Sequence, residues 1–442
     1  MMNMKWNHTT IRAAFCHIGR IRLWAITFGM LLGGLVTSCD EEAIDVEEVN
    51  KQTIFVYMPW SGSNNDSGLY ECFLANLDSI EAAIINKGGL DKSRLVVFLS
   101  ESATSSKLYE VRYDKNQGLS HKELKNYSGH DYTTVEGLTR IFNDVQGAAY
   151  ALNYALIAGG HGTGWTGVND WQDYPNRAPR RLSKVFPTQA NAAVLMNTPY
   201  PRTRFYGSVT SKDYSIDITT LAEAIRKAGM HMQYILFDDC YMANVEVAYE
   251  LRDVTNFLLA STSEVFDEGM PYTKMWTYLA TPTPNYSSAV SAFKSYLDNY
   301  EPPAGSPPLS VSPTGTLAAI DCRQMDNLAA VMRQVNEHYT LDEALLLDLQ
   351  VLDGFDDPIF YDMGHYVKNL CTDPYLYEKF EAQLSTTVVS KTATDRLYSH
   401  IYRIPRFIEV NTFSGLTISD PSYNEVVKDS KKQTAWWKAT HP

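Results

Sequence analysis

Gln233-Tyr234-Ile235-Leu236-Phe237 is an apolar, β-rich run that leads directly into Asp238-Asp239-Cys240-Tyr241-Met242. It is short for a helix, and a run with no polar alternation suits a strand covered on both faces. Upstream, Tyr154-Ala155-Leu156-Ile157-Ala158 repeats the pattern and runs into Gly159-Gly160-His161-Gly162-Thr163-Gly164-Trp165. One strand thus ends in a thiol and the other in an imidazole surrounded by glycine. If the two strands are neighbours, His161 and Cys240 meet over adjoining strand tips, with the sulfur within reach of a substrate.

The same reading extends outward. Thr53–Met58 and Arg94–Leu99 are further interior strands, and Leu108–Tyr113 alternates like an edge or hairpin strand. Phe73, Leu74, Leu77, Ile80 and Ile84 mark a helix between the first two. Thr133-Thr134-Val135-Glu136 and Thr220-Leu221-Ala222-Glu223 have capping-box spacing and open two more, with a fourth from about Ala243 to Leu251. A fifth strand spans Asn256–Ser261. Strand-helix alternation of this kind predicts an α/β fold: a mostly parallel sheet flanked by helices on both faces. Ligands in such sheets bind beyond the carboxyl ends of the strands, where His161 and Cys240 both fall.

The expected organisation is a catalytic domain over 51–281, a Pro/Ser-rich connection over 282–313, and a C-terminal α+β extension over 314–442 packed on that domain. Within the extension, a strand is expected at Gly315–Ile320, helices at Asn327–His338 and Asp342–Leu352, and strands at Ile401–Val410 and Leu416–Ile418. Residues 166–215 read as a long polar insertion rich in Pro, Asn and Arg.

The chain has 442 residues, 45% hydrophobic, which is ample for a large core. A formal charge of -13 with no long basic block after residue 39 argues against nucleic acid as a partner. Of six cysteines, Cys72, Cys240, Cys322 and Cys371 lie downstream of the N-terminal segment, widely spaced and without zinc-site spacing. An exported compartment permits a disulfide among Cys72, Cys322 and Cys371, and a chain of this size does not need one.

Residues 1–38 read as a targeting segment. Lys5, Arg12, Arg20 and Arg22 form a positive region, and Leu23–Val36 is an apolar stretch too short to span a bilayer comfortably. Val36-Thr37-Ser38-Cys39 resembles a bacterial lipoprotein signal, in which cleavage precedes the cysteine and Cys39 carries lipid. Asp40-Glu41-Glu42 resembles the surface-export signal of Bacteroidetes lipoproteins, and residues 39–50 form an acidic tether. Together these resemblances imply an exported protein, lipid-anchored at the outer membrane and exposed at the cell surface.

A thiol at neutral pH is only partly ionised and needs activation or a nearby base, which histidine supplies best. The N-H groups of Gly162 and Cys240 are placed to hold a developing oxyanion. A helix starting directly after Cys240 would add positive potential at the thiol. Trp165 reads as a packing residue before a substrate platform.

The pair of motifs resembles the clostripain family of caspase-like cysteine peptidases, whose usual signatures are HGxGW and DACLMxxxExAYEL. Glu246-Val247-Ala248-Tyr249-Glu250-Leu251 follows Cys240 in register, and Ser263–Tyr272 is similar to the family's next conserved segment. Weaker likenesses lie at Phe413–Ile418 and Trp436-Trp437-Lys438. The resemblance implies a caspase-like sheet, a Cys240/His161 dyad and endopeptidase action on peptides or proteins through a thioester. It also implies a P1 preference for Arg or Lys, with Asp238 and Glu268 as the substrate-binding carboxylates. Asp238 has a second reading, as a strand-end aspartate holding backbone N-H groups. Asp239 and Met270 depart from the family pattern, which has alanine and tryptophan there. Self-processing is expected at Arg177, Arg181 or Lys184, within an exposed loop over 176–184. No cofactor is required by the sequence; Ca2+ enters by resemblance alone, without EF-hand spacing. Two other functions remain open: a transpeptidase using the same acyl-enzyme, and a non-catalytic surface lipoprotein binding peptide or glycan through its 28 tyrosines. The oligomeric state is open as well.

Overall fold

The computed structural model describes residues 50–63, 68–171, 214–301, 311–401 and 405–442. In chain order the first half contains β1 (Gln52–Met58), α1 (Tyr70–Lys87), β2 (Ser93–Ser102), β3 (Ser105–Asp114), β4 (Gly118–Ser128), α2 (Val135–Ala148), β5 (Asn153–Gly159), α3 (Ile218–Lys227), β6 (Met232–Asp238), α4 (Val245–Leu251) and β7 (Thr255–Ala260). The second half contains α5 (Tyr272–Leu279), α6 (Tyr286–Asp298), β8 (Thr316–Asp321), α7 (Met325–His338), β9 (Tyr361–Asp362), α8 (Met363–Leu370), α9 (Pro374–Thr387), β10 (Val388–Ala393), β11 (Arg396–Ser399), β12 (Arg406–Glu409), β13 (Thr417–Ile418) and α10 (Ala435–Thr440).

A nine-stranded sheet has the order β10-β8-β7-β6-β5-β1-β2-β3-β4. Its centre, β7-β6-β5-β1-β2, is parallel. Both edges are antiparallel: β3 and β4 at one, β8 and β10 at the other. Helices cover both faces, which is why the central strands are apolar on both sides: Ile54, Val56, Leu156, Ile157, Ile235 and Leu236 are all fully buried. Phe55 meets Phe142 of α2 edge-on at 5.7 Å, and α2 packs on α3, which fixes one face. On the other face the Tyr234 hydroxyl donates to the Leu279 carbonyl at 3.4 Å, its ring approaches Tyr286, and α1 packs on α5.

The expected α/β class and mostly parallel sheet are what the chain adopts. Several local expectations give way to tertiary context. Thr134, one residue later than the expected cap, accepts from Gly137 N-H and starts α2. The helix expected from Thr220 starts at Ile218. The expected connection over 282–313 holds α6, capped by Asn285 and anchored by buried Ala289, Val290 and Phe293; spaced apolar residues there outweigh the flanking prolines. The helix expected over Asp342–Leu352 is a single 3-10 turn, Glu343–Leu345. After it the backbone extends: Gln350 N-H donates to His365 Nδ1 at 2.9 Å and Val351 bridges to Tyr361.

After residue 313, β8 and β10 widen the sheet, while β9 and β13 pair with each other beside the β6 tip. Asn244, just after Cys240, bridges to Thr417 of β13. Residues 50–442 form one compact unit. The four described cysteines, Cys72, Cys240, Cys322 and Cys371, are not joined to one another by disulfides. Among the described residues no helix is long and apolar enough to cross a membrane.

Candidate active site

β5 and β6 are adjacent and parallel, and Gly159 is paired with Asp238. His161 and Cys240 each lie two residues past that pair, on neighbouring strand tips. The two loops touch through backbone: a Cβ on Gly162 would sit 2.7 Å from Cys240 N and nearer still to its carbonyl oxygen. Glycine is therefore a steric requirement at 162. It brings together the two residues whose N-H groups were assigned to an oxyanion.

The Cys240 thiol is not open at the rim, contrary to the sequence expectation; the residue is fully buried. Residues 261–265 carry on past β7 and keep pairing with the loop after β6. Ser263 and Ser261 carbonyls accept from Tyr241 N-H at 3.1 Å and Ala243 N-H at 2.9 Å. This pairing lays Val265 over the sulfur. Its N-H donates to Sγ at 3.2 Å, and the thiol faces its carbonyl at 3.7 Å. The helix expected from about Ala243 to Leu251 spans Val245–Leu251, and Asn244 accepts from Val247 N-H as its cap.

Tyr241 holds a left-handed backbone conformation, φ 60°, that a bulky L-residue rarely adopts. Its surroundings fix it there. The hydroxyl donates to Glu264 Oε1 at 3.0 Å, the ring stacks on Phe360 at 4.8 Å, and its carbonyl accepts from Asn244 Nδ2 at 2.6 Å. Asn244 also faces the histidine loop, since a Cβ on Gly164 would come 2.8 Å from its Nδ2. Sequence reasoning passed over this asparagine. Its signal was the Asn-Val-Glu start of a helix, which is N-cap chemistry.

Asp238 follows its second reading. It is fully buried; Oδ1 accepts from Met270 N-H at 2.9 Å and Oδ2 from the Tyr272 hydroxyl at 2.8 Å. Its carboxylate thus braces the segment after Glu268. Glu268 is exposed. Burial first, then Tyr300 and the Glu268 charge, push the Tyr296 phenol up to about 12. Trp165 is buried, and its Nε1 donates to Ser419 Oγ at 2.9 Å, a packing role.

Behind the thiol loop, Glu246 of α4 is buried and its Oε1 accepts from Ser419 N-H at 2.8 Å. Burial, then the nearby Asp420 charge, pushes its carboxyl up to about 8. Lys431 Nζ donates to the Asp420 and Ser422 carbonyls, and burial lowers its pKa. Among the described residues no three His, Cys, Asp or Glu side chains converge as a metal site. Arg177, Arg181, Lys184 and Cys39 lie outside the described residues.

A cavity of about 120 Å3 opens beside His161. Phe237 and Asp239 line it, and by strand alternation they face away from Asp238 and Cys240.

A sequence model of the clostripain family matches residues 192–434, a range that contains Cys240 and starts after His161. Among solved structures, the chain is similar to a secreted C11 cysteine protease from Bacteroides thetaiotaomicron called iotapain. The two are 38% identical over 89% of this chain and 100% of that one, with a TM-score of 0.75. An inactive zymogen C11 protease from Parabacteroides distasonis shares the fold at 22% identity, covering 88% of this chain and 98% of its own, with a TM-score of 0.68. A second secreted C11 cysteine protease from Bacteroides thetaiotaomicron, in complex with an irreversible peptide inhibitor, shares it at 18% identity over 88% and 98%, with a TM-score of 0.67. No curated protein matches the chain.

Proposed function

The chain belongs to the clostripain family and is a cysteine-type endopeptidase, and from that premise we propose that Cys240 and His161 are its catalytic pair. The observation that carries this reading is the β5-β6 register, which sets the two residues on adjoining strand tips.

In the reaction the Cys240 thiolate attacks the scissile carbonyl carbon and forms a C-S bond. The negative oxygen takes hydrogen bonds from the N-H groups of Gly162 and Cys240. The His161 imidazolium gives its proton to the leaving nitrogen as the C-N bond breaks, and the amine product departs. Water, deprotonated by His161, then attacks the thioester; the acid product leaves and the thiol is restored.

A sulfur tucked under Val265 has to be released before it can attack. Transient exposure of the thiol permits a first self-cleavage at Arg177, Arg181 or Lys184, which then holds the site open in this reading; the buried thiol of the uncut chain supports it. Arg or Lys at P1 rests on Glu268, the exposed member of the two expected carboxylates. Export with lipid on Cys39 completes the proposal; the signal-like N-terminus and the secreted relative support it.

Cys240→Ala tests the core of the reading. Peptide cleavage is expected to fall by several orders of magnitude, on the order of 10^3-fold or more. Retained turnover in the purified variant would remove Cys240 from the mechanism.

A further inference from the structure

The cavity beside His161 lies on the opposite side of the β6 tip from the thiol. Register places Tyr57, Ala158 and Phe237 on one face of the sheet, and Asp239 continues that face past the strand end. Asp238 and Cys240 take the other face. A peptide that presents its carbonyl to Cys240 must offer its leaving nitrogen to His161, which donates the proton. His161 is itself part of the lining of this cavity, so the residue following the scissile bond is brought to its mouth.

Its lining has a definite chemistry. Trp60, Trp171, Phe237 and Met242 provide apolar and aromatic wall, and the carboxylates are Asp239 and Asp217. Asp239 is only 7% exposed. Its side chain lies along the histidine loop, where a Cβ on Gly160 would stand 3.5 Å from Oδ1. Asp217 Oδ1 accepts from Val168 N-H at 2.9 Å, which holds that residue at the cavity wall. Among the described residues that line the cavity there is no Lys or Arg. An apolar channel closed by carboxylates suits a long aliphatic or planar stem with a cationic head.

We infer that this cavity is the pocket for the residue after the scissile bond, and that Asp239 makes it selective for Lys or Arg at that P1′ position. The inference rests on the Cys240/His161 reading. It assigns specificity to a residue at which this chain departs from the family's alanine.

Two peptides that differ only in Lys or norleucine at P1′ test it. In wild type the kcat/KM ratio is expected to favour Lys by about tenfold or more. The ratio should fall toward one in Asp239→Asn and persist in Asp239→Glu. The same preference should appear as tighter binding of the uncleaved Lys peptide to Cys240→Ala that has been cut in the 176–184 loop by added wild type and then separated from it, a readout that needs no turnover by the variant. A ratio near one in wild type, or an unchanged ratio in Asp239→Asn, overturns the assignment. Cleavage of both peptides by Cys240→Ala would instead sink the catalytic reading and leave the binding comparison to judge the pocket.

Discussion

Gly159 and Asp238 are paired residues across β5 and β6, and the chain leaves the sheet immediately after each. From that one pairing, two further steps along each strand reach His161 and Cys240. The backbone contact at Gly162 keeps those steps parallel. Once the Val265 cover is released, reactive groups held this way need little further reorganisation before reaction, a source of a large rate gain.

Gly162→Ala should therefore be far more damaging to catalysis than to folding. The new Cβ would collide with backbone atoms of Cys240, which cannot swing aside as a side chain can. The two loops must separate by a fraction of an ångström or more. A loss of about a hundredfold in kcat/KM is expected, with the sheet intact. Steady-state kinetics beside a thermal melt checks this; near-wild-type turnover would mean the loops are not coupled.

The covered thiol gives a second expectation. In the uncut chain Cys240 should react with a small alkylating reagent more slowly than Cys72, which is only partly buried. Peptide mapping after timed alkylation reads both cysteines at once. Cleavage in the 176–184 loop should reverse the order, because the released catalytic thiolate is the stronger nucleophile. Equal rates in the uncut chain would show that the Val265 cover is not the resting state.

Asp238 and Glu268, grouped by sequence as two substrate carboxylates, should separate in experiment. Asp238 is bound to Met270 and Tyr272, so Asp238→Asn and Tyr272→Phe should each cost about 1–3 kcal/mol of stability. Neither should change the ratio of turnover for Arg over norleucine at P1. Glu268→Gln should lower that ratio with little effect on the melt, because Glu268 is exposed. A ratio that moved with Asp238 and not with Glu268 would return the specificity role to Asp238.

The outcome at these residues shows what a linear sequence discloses. Apolar runs such as Tyr154–Ala158 and Gln233–Phe237 declare buried parallel strands, because a strand covered on both faces has no polar alternation to lose. Sequence also placed His161 and Cys240 beyond the strand ends. It did not disclose which way Asp238 and Asp239 point, since that depends on where a two-residue alternation meets the end of the sheet. The cover over Cys240 was hidden for a related reason. Val265 arrives through continued pairing of a non-strand segment, and nothing in Ser261–Val265 announces it. The polar edge strand β4 and the helices α8 and α9 were missed although their support is local: β4 pairs with β3 as a hairpin, and Asp362 and Asp373 cap α8 and α9.

Glu246 supplies a pH dependence with a definite sign. Its carboxyl is raised from 4.5 to about 8, first by burial and then by Asp420, against the pull of Ser419 N-H and Lys431. Between those values the folded chain keeps a proton that the unfolded chain has released. The stability tied to this proton is complete below pH 4.5 and is lost as pH rises through about 8. Wild type should thus melt lower at pH 8 than at pH 5, after allowance for Asp420, which burial also raises, and Lys431, which burial lowers. Glu246→Gln keeps an oxygen for Ser419 N-H and has no charge to bury. At pH 8 it should be more stable than wild type by roughly 2 kcal/mol, and the difference should shrink toward pH 5. Melting curves of both proteins across this range decide the matter. A variant less stable than wild type at pH 8 would mean that Glu246 is ionised in the fold and held by Lys431, the opposite of the arrangement described above.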